Sequence, residues 1–212
     1  MEKHNGKAEN IKQVSIDMSP AFIKGFKENI PNAEITFDKF HNIKMINSAV
    51  DKVRREESKT MFILKKSRYV FLKNERNLKE TERKKLEEIK MSKLNIKSLR
   101  ALHIRENFQA IYQAETKEKF IILLKKWYFW ATHSRLEPII EIAKTMKRHW
   151  DGIVAWVESR INNGILEGLN SMIQSSKRKA RGFRSTKNLM IISYLVTGDL
   201  NFKSINKFYK PL

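Results

Sequence analysis

The segment from Lys12 to Asp38, KQVSIDMSPAFIKGFKENIPNAEITFD, constrains the fold of this chain more than any other. Val14 and Ile16 share one face of an alternating run that ends at Asp17, the pattern of a half-buried strand. Ser19 then stands as an N-cap, Pro20 occupies the first helical position, where its missing N–H leaves no bond unmade, and Pro31 stops the helix. Ile35 and Phe37 repeat the alternation and run into Asp38. Antiparallel neighbours need only a tight turn, whereas parallel strands need a crossover of this length. The segment therefore predicts a strand-helix-strand unit of α/β type, with Asp17 and Asp38 at the carboxyl ends of neighbouring strands. In open α/β sheets that edge is where side chains converge on ligands.

From Lys39 onward the period changes. Ile43, Ile46, Ala49, Val50 and Val53 form a helical stripe, and similar stripes run through EKFIILLKKWYFWATH and LEPIIEIAKTMKRHWDGIVAWVESR. SRLE, from Ser134 to Glu137, matches a capping box with Pro138 just inside the next helix. The charged segment from Lys73 to Lys97 reads as a solvated helix or a mobile connection. Trp127, Trp130, Trp150 and Trp156, with Tyr128 and Phe129, fall at helical spacing beside aliphatic residues, which predicts core packing over base stacking.

A third pattern begins at Asn162 with NNGILEGLN and continues into KRKARGFR. A helix starting near Asn163 puts Leu166, Leu169, Met172 and Ile173 on its inner face and Glu167, Asn170, Ser171, Gln174, Lys177, Arg178 and Arg181 on the other. One carboxylate thus heads a polar stripe that turns basic, able to hold a cation at one end and a phosphate backbone along the rest. Gly182 reads as a break and Ser185 as the cap of a last apolar helix.

Charge narrows the partner. With 43 Lys+Arg against 23 Asp+Glu the net charge is +20, which points to a polyanion: nucleic acid first, an anionic membrane surface second. The membrane reading is the weaker, because the basic residues are spread over several helices and not gathered on one amphipathic face. The absence of cysteine excludes disulfides and thiolate metal sites, and the polar opening MEKHNGKAEN fits a cytoplasmic protein. Taken singly, Asp17 reads as a turn residue, Asp38 and His41 as a helix start, and Glu167 as an acid favoured by the helix dipole. Their order along the chain is what carries chemistry.

The blocks SIDMSPAFIKGFKENIPNAEITFDKFHNIKMINSAVDKVRREE and NNGILEGLNSMIQSSKRKARGFRSTKN resemble the later part of the catalytic domain of bacterial insertion-sequence transposases of the ISL-three lineage. The resemblance implies a ribonuclease-H-like fold with a large helical insertion, and three acids that bind Mg²⁺ or Mn²⁺. Asp17 in DMS resembles the second acid and Glu167 in NGILEGLN the third, while Asp38 and His41 in DKFH resemble an accessory element, with Asn170 beside the third acid. Lys177, Arg178, Lys179, Arg181 and Arg184 are the expected phosphate contacts. The expected organisation is a partial ribonuclease-H-like core over residues 1–57, a helical insertion over 58–160 and a catalytic helix with its basic run over 161–212.

The first acid of the pattern should precede two further strands, yet only MEKHNGKAEN stands before the first strand here, and Glu2 and Glu9 have no strand pattern around them. The expectation is a carboxyl-terminal part of a transposase, inactive by itself, with DNA and a separately encoded amino-terminal half or a full-length transposase as partners. It could associate with further copies, and no membrane partner is expected. The alternative is a non-enzymatic, basic, helical nucleic-acid-binding protein.

Overall fold

The computed structural model describes residues 7–92, 94–160 and 164–198, and the chain divides into two compact units, Met1–Asn162 and Asn163–Leu212.

The first unit opens with the expected crossover. Strand β1 (Gln13–Ile16) leads into helix α1 (Pro20–Asn29) and returns in strand β2 (Glu34–Phe37). The strands are parallel, in the register Gln13↔Glu34, Val14↔Ile35, Ser15↔Thr36 and Ile16↔Phe37. Ser19 is the N-cap of α1, with Pro20 at the helix start, and the helix closes at Ile30, immediately before Pro31. These two strands are the whole sheet among the described residues, so the α/β part is small and the remainder is helical.

Helix α2 (Lys39–Glu57) begins directly after β2 and turns Ile46, Ala49, Val50 and Val53 inward, the stripe legible in the sequence. It packs on α5 (Lys97–Ile111) and α7 (Glu137–Arg148). Helix α6 (Lys117–Thr132) lies against α5 and α7, and α8 (Trp150–Ser159) lies against β2 and α6. One hydrophobic cluster runs through all of them, from Ile16 and Phe37 to Phe71, Phe108, Phe120, Trp127 and Trp156. Each such side chain removed from water contributes roughly 1.5–3 kcal/mol, which is what holds a mostly helical unit around a two-stranded sheet. Residues from 58 to 160 therefore share their core with the strand-helix-strand unit.

Two buried charged groups organise the middle. Glu57, at the end of α2, accepts the backbone N–H groups of Lys97 and Ser98 at 2.7 and 2.8 Å and the Ser98 hydroxyl at 2.6 Å, so it satisfies the free N–H groups that start α5. Arg105, 1% exposed, donates to the carbonyls of Phe71 and Lys73 at the end of the short helix α3 (Arg68–Leu72). Burial pushes its guanidinium below the usual arginine range.

The segment from Lys73 to Lys97, read as a solvated helix or a mobile connection, contains an ordered and mostly exposed helix, α4 (Glu80–Met91). Leu86 and Ile89, one turn apart, enter the core, and Glu82 takes the Lys79 N–H at 2.8 Å and the Lys73 ammonium at 2.7 Å. The box at Ser134 does not form. Arg135 adopts φ 59°, which helical backbone forbids, so α7 starts later, with Leu136 as its N-cap. The buried Ser134 hydroxyl instead donates to Ala131 and accepts from the Leu136 N–H.

The described residues of the second unit form a helical pair, α9 (Gly164–Lys179) and α10 (Thr186–Thr197), packed on each other. Gly182, at φ 98°, donates its N–H to the Lys177 carbonyl and ends α9, while the Ser185 hydroxyl accepts the Asn188 N–H and caps α10. Leu169 and Ile173 are half-buried, but Met172, expected on the inner face, is 45% exposed, because two helices cover only a narrow stripe of each other. Asn163 and the side chain of Leu166 lie outside the described residues.

Candidate functional site

The parallel register decides where the two aspartates stand. Ile16 and Phe37 are partners, so Asp17 and Asp38 follow side by side at the carboxyl end of the pair, and the Asp38 N–H donates to the Ile16 carbonyl at 3.2 Å. Asp38 is the N-cap of α2 but makes no side-chain cap bond; it is 2% exposed and its Oδ1 has no hydrogen-bond partner. A buried carboxylate oxygen left unpaired is costly, and such groups are characteristic of sites that take a ligand. Asp17 keeps about half its side chain in solvent, 48%, and its Oδ1 lies 3.2 Å from Nδ1 of His41. His41 sits in the first turn of α2, one turn past Asp38. The fold therefore gathers Asp17, Asp38 and His41 at one end of the sheet.

Beneath them lies an aromatic floor that sequence spacing did not reveal. Asn42, fully buried, donates to the Tyr112 hydroxyl at 2.9 Å, and Tyr112 stands edge-on to Trp156 with ring centroids 4.9 Å apart. Burial pushes the Tyr112 phenol well above its ordinary range; the bond from Asn42 opposes this and the charge of Asp38 adds to it. The Lys39 ammonium lies 5.2 Å from the Tyr112 ring centre and 5.4 Å from that of Trp156, and the Arg160 guanidinium lies 4.9 Å from the Trp156 ring centre. Burial, and then the charge of Arg160, hold the Lys39 ammonium below the usual lysine range. Lys39 and Asn42 adjoin residues that the sequence singled out, Asp38 and His41, but Arg160, Tyr112 and Trp156 reach the site only through tertiary packing.

In the second unit Glu167 is exposed in the first turn of α9, where a carboxylate complements the positive end of the helix dipole, and Asn170 is exposed one turn on. Lys177, Arg178 and Lys179 are exposed in the last turn. Arg181, at φ 54°, and Arg184 continue the exposed basic run through the connection to α10.

A family model described as a transposase, of the ISL3 group, matches residues 1–193. This chain belongs to that transposase family. The transposase for insertion sequence element IS1001 of Bordetella parapertussis is 29% identical to it, over 84% of this chain and 46% of that protein. The transposase for insertion sequence element IS1557 of Mycobacterium tuberculosis (strain CDC 1551 / Oshkosh) is 30% identical, over 62% of this chain and 29% of that protein. The chain thus spans about half the length, or less, of these curated relatives. No solved structure gives a significant match.

For a member of this transposase family the donor set bears on metal binding. Asp17 and Asp38 offer hard carboxylate oxygens at adjacent strand ends, the ligand type that Mg²⁺ and Mn²⁺ take while keeping several waters. Among the described residues no group of three or more His, Asp or Glu side chains is gathered closely enough to hold a metal ion. No helix among them is long and apolar enough to cross a membrane.

Proposed function

We propose that this chain serves as the later part of a transposase catalytic region, with a ribonuclease-H-like core in which Asp17 is the second acid and Glu167 the third. The observation that carries this reading is the pairing of Asp17 and Asp38 at the carboxyl end of a parallel crossover, with His41 against Asp17, inside a transposase family match over residues 1–193. Asp17 and Glu167 would hold Mg²⁺ or Mn²⁺, which supplies Lewis-acid activation for phosphoryl transfer when bound. His41 orients the Asp17 carboxylate, Asp38 adds a buried negative charge behind it, and Asn170 lies one turn beyond Glu167 on the same helix. Lys177, Arg178, Lys179, Arg181 and Arg184 would track DNA phosphates, in keeping with the net charge of +20.

Paired-metal chemistry needs carboxylates on both sides of two cations ~4 Å apart. The acids assigned here supply two of the three that the resemblance implies, so these 212 residues by themselves bind DNA without cutting it. The test is incubation of the purified chain with terminal-repeat DNA in Mg²⁺ or Mn²⁺, with Glu167→Gln as the control for contaminating nuclease. Binding without nicking is expected. Nicking that disappears in Glu167→Gln overturns the expectation of inactivity, and an absence of DNA binding overturns the reading itself.

A further inference from the structure

We propose that Lys39 and Arg160, held against Trp156, form a seat for the phosphate backbone of one DNA strand beside the Asp17–Asp38 end of the sheet. The seat rests on the reading of DNA as the substrate and adds a contact surface in the first unit to the basic run that begins in the last turn of α9.

Lys39 and Arg160 are like charges brought together by the fold. Both cations stand over the same indole, Lys39 at 5.4 Å and Arg160 at 4.9 Å from its centre, so their charges lie within roughly 10 Å of each other. Ring faces attract cations, which accounts for either one singly. Two together repel, and the Lys39 ammonium is partly withdrawn from water as well. Among the described residues no carboxylate lies within ion-pair distance of either. The fold nevertheless builds the pair on rigid supports. Lys39 is the first residue of α2, fixed by the strand that precedes it. Arg160 closes α8 in the left-handed region, φ 51°, which arginine rarely adopts, and its guanidinium is anchored on the Ala114 carbonyl at 3.0 Å.

An arrangement that concentrates positive charge, denies it an internal counter-ion and leaves the arginine exposed is completed by an external anion. The indole of Trp156, 6% exposed and set in the core, is the fixed support under both cations. Phosphate contacts of this kind position a duplex and carry no sequence information. Lys39 directly follows Asp38, so a strand seated here is registered against the carboxylates.

The test compares the intact chain with Lys39→Gln, Arg160→Gln and the double variant. Fluorescence anisotropy is read on a short DNA duplex over a range of salt, and melting temperature is read alongside. The double variant should lower the log-log salt slope by roughly 0.9 for each phosphate it no longer neutralises, and Lys39→Arg should keep the wild-type slope. Where Lys39→Gln lowers the melting temperature, the exposed Arg160→Gln carries the test and must lower the slope by itself. A double variant that binds DNA with the wild-type slope overturns the seat and leaves the transposase reading standing. A wild-type chain that binds no DNA overturns both.

Discussion

Gly152 of α8 lies directly against the ring of Phe37 on β2. A β-carbon at position 152 would come within 2.5 Å of two Phe37 ring carbons and 3.2 Å of the Ile35 carbonyl oxygen. The missing side chain lets α8 sit down on the strand whose end carries Asp38, and it seats Trp156 one turn further along the same helix. Phe37 is 5% exposed and packed edge-on against His149 at 5.0 Å, so a β-carbon here would force the ring out of that packing. Gly152→Ala should therefore destabilise the first unit by about 1–3 kcal/mol through overpacking, despite the better helix propensity of alanine. Thermal melting checks this; an unchanged or raised midpoint would contradict the close approach.

Glu57 should prove a structural acid. Glu57→Ala strands the N–H groups of Lys97 and Ser98 and the Ser98 hydroxyl, and should cost about 1–3 kcal/mol by urea denaturation. Glu57→Gln, whose amide oxygen still accepts, should cost less. Equal destabilisation in the two variants would mean that the carboxylate does not accept these bonds.

Tyr112 sets an alkaline limit. Its phenol is raised above the ordinary value of 10.0, so above that pH the unfolded chain releases a proton that the folded chain keeps. The sign follows: this part of the stability is fully present below pH 10.0 and is lost as pH rises toward the folded value. In a tyrosinate absorbance titration, the difference between wild type and Tyr112→Phe should appear only as the protein unfolds. Ionisation of Tyr112 near its ordinary value in the folded chain would contradict its burial.

The basic run should supply salt-dependent and largely sequence-independent DNA affinity. Replacing Lys177, Arg178, Lys179, Arg181 and Arg184 with glutamine should lower the log-log salt slope by roughly 0.9 for each phosphate left without its cation. Melting temperature should change little, because these side chains are exposed. A slope equal to that of wild type would place the DNA elsewhere.

The crossover was legible because its signals are local: alternation in KQVSID and AEITFD, Ser19 with Pro20 at one helix end and Pro31 past the other. The same locality put Asp17 and Asp38 at strand ends and Ser185 at a helix start. Periodicity fixes the angle of a side chain on its helix but not whether a neighbour covers that angle. Trp127 and Trp156 are buried as expected, whereas Trp130 and Phe129, on the same helical run as Trp127, are 39% and 64% exposed. In α4 the opposite happened: two apolar residues in a charged segment were enough to dock a helix. The box at Ser134 failed on a backbone angle at Arg135 that residue types did not announce. The Lys39–Trp156–Arg160 grouping joins the start of α2 to the end of α8, and no local pattern links those positions.

We propose Asp17 and Glu167 as metal-binding acids of this chain. Mn²⁺ binding to the intact chain, followed by the loss of the free-ion electron paramagnetic resonance signal, tests this most directly. The predicted result is weak binding that falls further with Asp17→Asn and with Glu167→Gln, while Glu57→Gln, a structural carboxylate, leaves it unchanged. Mn²⁺ binding that is indifferent to both Asp17→Asn and Glu167→Gln would contradict it.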